Sequence, residues 1–335
     1  MAKDSDILRQ KLLETTRLSA PIIDAAWPDW WDQADEGSIS AQVELRFSLA
    51  RKLGLEPQSL LNEDTPRFAW KDSGKYKNFS GDEEHEKPAI SSFGISVSNL
   101  LLQSLKERQV TGGLDLSASS IREAILSTKP HIGIPELLTF LWGISVPVIH
   151  LRLFPLAAKR MCAMATKTQD QFSILLAKDA RYPAPLAFHI AHEIGHIVLN
   201  HLGEFSAIVD MEDPAEGRRG EDLEEIDADK FALELLTGFP DPPIEVVGEG
   251  KSSRRLAKEA FDASEKFQIE PGTVSLCYGY QTGNWDVANG AMKHIYAEPM
   301  DVWKIVNAIA IDQLDLNLLP EESSSFLRAI LGGDI

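Results

Sequence analysis

HIAHEIGHIVLNH, residues 189–201, packs four of the chain's eight histidines and one glutamate into thirteen positions. His192 and His196 stand four apart with Glu193 beside the first. On an α-helix, residues at that spacing share a face one turn apart, so two imidazoles can point at one ion. Glu193 is turned about 100° from His192, near enough to hold a water at that ion. The surrounding residues predict the helix. Pro185 marks its start, and Leu186, Ile190, Ile194, Ile197 and Val198 form an apolar stripe. Gly195 costs about 1 kcal/mol of helix stability against alanine, and its missing side chain lets another backbone or a substrate come close. The competing reading is a buried amphipathic helix with two satisfied histidines.

A hydrolytic zinc site takes three protein ligands and keeps one position open. His201 is the nearest further candidate. The metzincin pattern, however, needs a glycine seven and a histidine ten residues after the first histidine, and those positions hold Leu199 and Leu202. On a continuous helix His201 would also face away from the pair, which leaves it a supporting or packing role. The acidic run EDLEEIDADK, residues 221–230, offers another source. In EEIDADKFALELL, Glu225, Ala228, Asp229 and Ala232 fall on one helical face. The two alanines let this helix pack close to the histidine helix, so that Glu225 reaches the metal. Asp229, one turn on, is placed to accept from the far nitrogen of a ligating histidine.

The rest of the chain frames this pair of helices. A length of 335 residues with 44% hydrophobic content predicts two or three folded domains. There is no apolar run long enough for a membrane span. The opening MAKDSDILRQ carries charges where a signal peptide needs its apolar centre, and Cys162 and Cys277 form no CxxC pair. Both features predict a cytoplasmic protein. The net charge of −18 disfavours non-specific binding to phosphate backbones.

Residues 1–75 read as helical: DILRQKLLETTRL, then SAQVELRFSLARKLGLEPQSLL with Val43, Phe47, Ala50 and Leu53 on one face and a stop at Gly54. Residues 76–92 lie in a polar stretch that reads as a linker. Its His85, with Glu83, Glu84 and Glu86, is expected to be solvated rather than metal-binding. Residues 93–240 hold helices, then the strand-like runs SVPVIHLRL, RMCAMAT and FSILLAK, then the two site helices. Residues 241–335 return to helix. The expectation is an α+β fold: a zincin-like metallopeptidase core, built of a small antiparallel sheet, the HExxH helix and a glutamate-bearing helix, flanked by mainly helical N- and C-terminal regions.

AFHIAHEIGHIVLNH, the pattern E-x-x-A-D-x-F-A within EIDADKFALELL, and the three strand-like runs upstream together resemble the ImmA/IrrE family of zinc metallopeptidases. That resemblance implies Zn2+ held by His192, His196 and Glu225, with Glu193 as the catalytic glutamate. It also implies a protein substrate, a transcriptional repressor whose cleavage switches on a stress, phage or mobile-element response. His201 is commonly a histidine in the family without being a ligand. IEPGTVSLCYGYQTGNWDVANGAMKHIY resembles the region that follows the peptidase core in longer members. DEGSISAQVELRFSLARKLGLEPQSLL resembles part of an XRE-type helix-turn-helix domain. Where such a domain carries its recognition helix, this chain has IIDAAWPDWW, acidic, aromatic and broken by Pro28. Groove-facing positions want Arg, Lys, Asn or Gln, and residues 1–60 hold seven basic against ten acidic side chains. DNA binding by this region is therefore not the favoured expectation, and docking of a protein is at least as much expected.

As an endopeptidase the chain would use Glu193 as general base and then acid. FSILLAK is expected to pair with an extended substrate. His189, Tyr182, Tyr278 and Tyr280 are candidates for stabilising the oxyanion or touching substrate. The alternative is a non-catalytic regulator or antitoxin that binds DNA or a partner protein and carries a structural or sensory zinc.

Overall fold

The computed structural model describes residues 4–32, 34–77, 86–106, 116–156, 161–211, 222–243 and 252–333. His85, Glu83, Glu84 and Glu221 lie outside them. The N-terminal region forms helices α1 (Asp4–Thr16), α2 (Ala20–Ala26), α3 (Ile39–Leu53) and α4 (Pro57–Leu61). Helix α3 starts on Ser38, whose side chain accepts from the Ala41 amide, and stops at Gly54, whose φ of 71° suits a residue without a β-carbon. Only part of the expected face is buried, at Ala50 and Leu53. Leu45, Leu49 and Leu53 are buried, while Val43 and Phe47 are exposed. The helix has apolar residues on more than one side, and its packing on α2 and the following core helix selects between them.

Strand β1 (Gly74–Lys77) follows, then α5 (Lys87–Gln103), α6 (Ala118–Leu126) and α7 (Ile134–Gly143). The polar stretch expected to be an exposed linker thus contributes a strand. Its signal was hidden because GKYK has no apolar alternation, and ion pairs rather than apolar contacts bury Lys77. Strands β2 (Val148–His150), β3 (Ala163–Thr168) and β4 (Gln171–Leu176) coincide with the three strand-like runs. Helix α8 (Pro183–Val198), strand β5 (Ala207–Asp210) and helix α9 (Leu223–Thr237) carry the site. Among the described residues five α-helices follow: α10 (Ser253–Phe267), α11 (Pro271–Thr282), α12 (Trp285–Ile295), α13 (Val302–Gln313) and α14 (Glu321–Leu331).

The fold is α+β. The sheet has five strands in the order β1-β5-β3-β4-β2 and is mixed, not antiparallel as expected. Strands β5, β3 and β4 run antiparallel to their neighbours among one another, but β1 pairs parallel with β5 and β2 parallel with β4. Both parallel partners come from segments distant in sequence, where periodicity carries no information about direction. The same order places β4 between β3 and β2, so Ile174, Leu175 and Leu176 of FSILLAK are paired on both sides and offer no edge to an extended substrate. On the β2 side, Asn307 of α13 accepts from the His150 amide and donates to the His150 carbonyl, each at 2.7 Å.

Side chains alternate across the sheet and feed two cores. Met164, Leu175, Ile149 and Val209 pack with α5, the N-terminal helices and α14. Ala165, Ile174, Val148 and Ile208 pack with α7, α8, α9 and α13. Gly94 lets α5 lie close on the first face, since a β-carbon there would fall 2.3 Å from Met164 Sδ. Helix α8 lies on the second face, and this presses its histidine side between the sheet and α9. No helix among the described residues is long and apolar enough to cross a membrane.

Candidate metal centre

Helix α8 is buried along almost its whole length, with His192, Glu193 and His196 all at 0% exposure. Helix α9 packs on it through small residues. A β-carbon on Gly195 would lie 3.1 Å from Ala228 Cα and 3.2 Å from the Phe231 β-carbon, so only glycine admits this approach without displacement. Ala228 and Ala232 are both fully buried. One turn before Ala228, this close packing brings Glu225 to the two histidines.

The three groups converge on one point. His192 Nε2 and His196 Nε2 are 3.0 Å apart. Glu225 Oε1 lies 3.3 Å from His196 Nε2, and Oε2 lies 3.5 Å from His192 Nε2. Ligands about 2.0–2.1 Å from a tetrahedral ion stand about 3.3 Å from one another, which these separations match. Glu225 is at ion-pairing distance from both rings, yet neither oxygen makes a hydrogen bond of proper geometry. A shared cation would satisfy the Glu225 carboxylate where hydrogen bonds do not. The donor set, two imidazoles and a carboxylate, is one that holds a divalent ion, and the trio can accordingly hold a metal ion.

The far nitrogens of both rings are engaged. His192 Nδ1 is 3.0 Å from Asp229 Oδ1, the placement expected from the α9 face. His196 Nδ1 is 2.9 Å from His201 Nδ1. Helix α8 ends at Val198, and Asn200 takes a positive φ of 56°. The chain therefore reverses instead of continuing the helix, and His201 swings back onto His196.

Burial and charge set the protonation preferences. Burial would lower the pKa of His192, but the contact with Asp229, the neighbouring Glu225 carboxylate and the charge of Asp210 raise it well above the ordinary value. His196, with burial dominant, is pushed down to about 4. Burial alone would raise Glu225, and its contacts with His192 and His196 overcome this and hold it ionised. Glu193 is pushed well up by burial and by the negative charge of Asp210. Its carboxylate faces the Ala165 amide of β3 without completing a hydrogen bond. An upward shift is the direction that a proton-carrying carboxylate needs.

Two further residues belong to the site, and neither was singled out in the sequence. Lys77 of β1 is 3% exposed, and its Nζ lies 2.6 Å from Asp222, 2.9 Å from Glu224 and 3.6 Å from Glu225. Lys75 also pairs with Glu224. Strand β1 is thereby tied to the first turn of α9. Asp210, the last residue of β5, is fully buried with Oδ2 3.5 Å from His192 Nε2. An acid ending a buried strand, AIVD, was the available signal.

The remaining candidates divide. His189 lines a cavity of about 300 Å³ together with Tyr182, Arg181 and Lys293. Tyr182 precedes the first turn of α8 and stacks on Tyr296 at 5.5 Å. Tyr280 packs 5.8 Å from Phe188 and lines a second cavity, of about 270 Å³, with Asp229 and Lys230. Tyr278 belongs to the small core between α10, α11 and α12 with Leu256 and Ala288, away from the ligand trio. No family model, curated protein or solved structure matches the chain.

Proposed function

We propose that this chain is a cytoplasmic zinc endopeptidase with a zincin-like core, of the kind its sequence resembles in the ImmA/IrrE family. Its substrate would be a transcriptional repressor. The observation that carries the reading is the convergence of His192, His196 and Glu225 beside a buried, unbonded Glu193 carboxylate. Three protein ligands and one adjacent acid are the minimum set for metal-assisted peptide hydrolysis.

A zinc ion at the trio would polarise a peptide carbonyl and lower the pKa of water. Glu193 would act as the proton carrier, accepting from a water and delivering to the leaving amine. Its raised pKa fits both tasks, since it must accept and then release one proton. Asp229 and His201 hold the two rings in the orientation and tautomer that present Nε2 to the ion. The cavities beside His189 and beside Asp229 are the spaces available to substrate side chains on either side of α8.

The test is cleavage of a candidate repressor by wild type and by Glu193→Gln. The variant is expected to keep its zinc and lose cleavage. Undiminished cleavage by a zinc-loaded Glu193→Gln protein would sink the reading.

A second reading draws on the full burial of His192, Glu193 and His196. In it the zinc is structural or sensory and the chain acts by binding DNA or a partner protein. A salt-dependent, sequence-specific gel shift that survives loss of zinc would favour it.

A further inference from the structure

Lys178, Asp179 and Arg181 come from the connection between β4 and α8. With His189 of α8 and with Asn289 and Lys293 of α12 they line the cavity of about 300 Å³. The connection is fixed at its backbone. The Lys178 amide donates to the Cys162 carbonyl at 3.1 Å, and the Lys178 carbonyl lies 3.0 Å from His150 Nε2. The Arg181 carbonyl accepts from the Met300 amide at 3.0 Å. Asn289 and Lys293 stand four apart on α12 and so share a face. The cavity's polar groups thus start from backbone that is held in place.

Beside His189 the lining carries three basic side chains, Lys178, Arg181 and Lys293, and one acidic side chain, Asp179. Asp179 is already engaged, since Arg152 Nη1, from outside the lining, lies 2.6 Å from its Oδ1. The cavity is therefore locally cationic in a chain whose net charge is −18. A concave wall of one sign gathers groups of the other.

The place of the cavity says which anion it meets. His189 stands one turn before Glu193 on the same helix, about 5–6 Å away. An extended polypeptide advances about 3.3 Å per residue. A substrate whose scissile carbonyl stands at His192 and Glu193 therefore brings a side chain one or two residues away to the His189 cavity.

We propose that this cavity binds an acidic side chain of the substrate polypeptide, one or two residues from the scissile bond. This rests on the peptidase reading of the metal centre. Arg181 and Lys293 determine specificity: they hold the carboxylate and take no part in moving the proton.

The test uses the zinc-loaded full chain and a mixture of short randomised peptides with amidated C-termini, the cut ends being read by mass spectrometry. Wild type should enrich Asp and Glu over Asn and Gln by about fivefold at a position one or two residues from the cut, the upper end of what a partly exposed ion pair supplies. The enrichment should shrink as salt rises. Arg181→Glu combined with Lys293→Glu should turn the preference towards Lys and Arg, with the zinc content of wild type. Lys293→Gln alone should weaken the acidic preference without reversing it. Cleavage without acidic enrichment, or an enrichment that the charge reversal leaves unchanged, would overturn the proposal and leave the peptidase reading standing. A zinc-loaded wild type that cuts none of the peptides would overturn the inference together with the peptidase reading beneath it.

Discussion

Gly195 of α8 and Ala228 of α9 meet backbone to backbone, with room for no side chain between them: a β-carbon on Gly195 would stand 3.1 Å from Ala228 Cα and 3.2 Å from its carbonyl oxygen. Glu225 reaches the histidines only because the helices come this close. In Gly195→Ala, alanine's helix propensity gains about 1 kcal/mol, while overpacking costs about 1–3 kcal/mol. Crowding wins, because the atoms met are backbone and yield only if α9 moves. The variant should lose about 1 kcal/mol of stability by these opposing figures and bind zinc more weakly. Thermal melting and chelator competition check both, and unchanged zinc affinity would show that the contact does not position Glu225.

Removing the groups behind the histidines should weaken the centre without abolishing it. Asp229→Ala is expected to lower metal affinity by about 10–100-fold, the usual effect of losing a carboxylate behind a ligating imidazole. His201→Ala should act in the same direction but less, since a neutral ring orients His196 without adding charge. Glu225→Ala removes a ligand and should leave the chain without zinc after dialysis. Metal analysis of the three variants orders them, and full zinc retention by Glu225→Ala would remove the assignment.

Lys77 neutralises the acidic first turn of α9 from a buried position. Replacing it with methionine leaves Asp222, Glu224 and Glu225 to repel one another. Breaking a fully buried pair costs about 3–5 kcal/mol. Asp222 and Glu224 are partly exposed, at 44% and 35%, so a loss of about 2 kcal/mol is the expectation after solvent screening. Chemical denaturation of the zinc-loaded protein measures it, and a loss below a few tenths would place the stabilisation elsewhere.

Lys52 gives the fold a pH dependence outside the candidate metal centre. It is fully buried, donates to the Ala26 carbonyl at 3.0 Å, and burial lowers its pKa from 10.5 to about 8. The folded-state value lies below the unfolded one, so the unfolded chain binds the proton more tightly. The cost of charging Lys52 is therefore complete below about pH 8 and disappears as pH rises through 10.5. Lys52→Met should stabilise the protein at neutral pH by about 1–2 kcal/mol, less than the full shift because the bond to Ala26 is also lost. The gain should fade towards pH 10, and a gain independent of pH would rule out the charge as its cause.

The cluster of His192, His196 and Glu225 was legible because its parts are local. His192 and His196 share a face by helical spacing alone, and the same rule put Glu225, Asp229 and two alanines on one face of α9. His201 was misplaced geometrically because the sequence gives no sign that Asn200 turns the chain back after Val198. Val43 and Phe47 were assigned to a buried face of α3 that turns outward, because an apolar stripe does not name the partner it packs on.

The sequence by itself determined which side chains each element can present: two imidazoles and a glutamate on one helix, a carboxylate ladder on another, and three buried strands. Only the tertiary structure decided what meets them. It set the strand order, put GKYK on the sheet as β1, enclosed β4, and brought Asp210 and Lys77 to the centre from segments far away in the chain. Helical spacing is fixed by backbone geometry within a few residues, whereas these meetings depend on how elements distant in sequence share one core, and no local pattern encodes that.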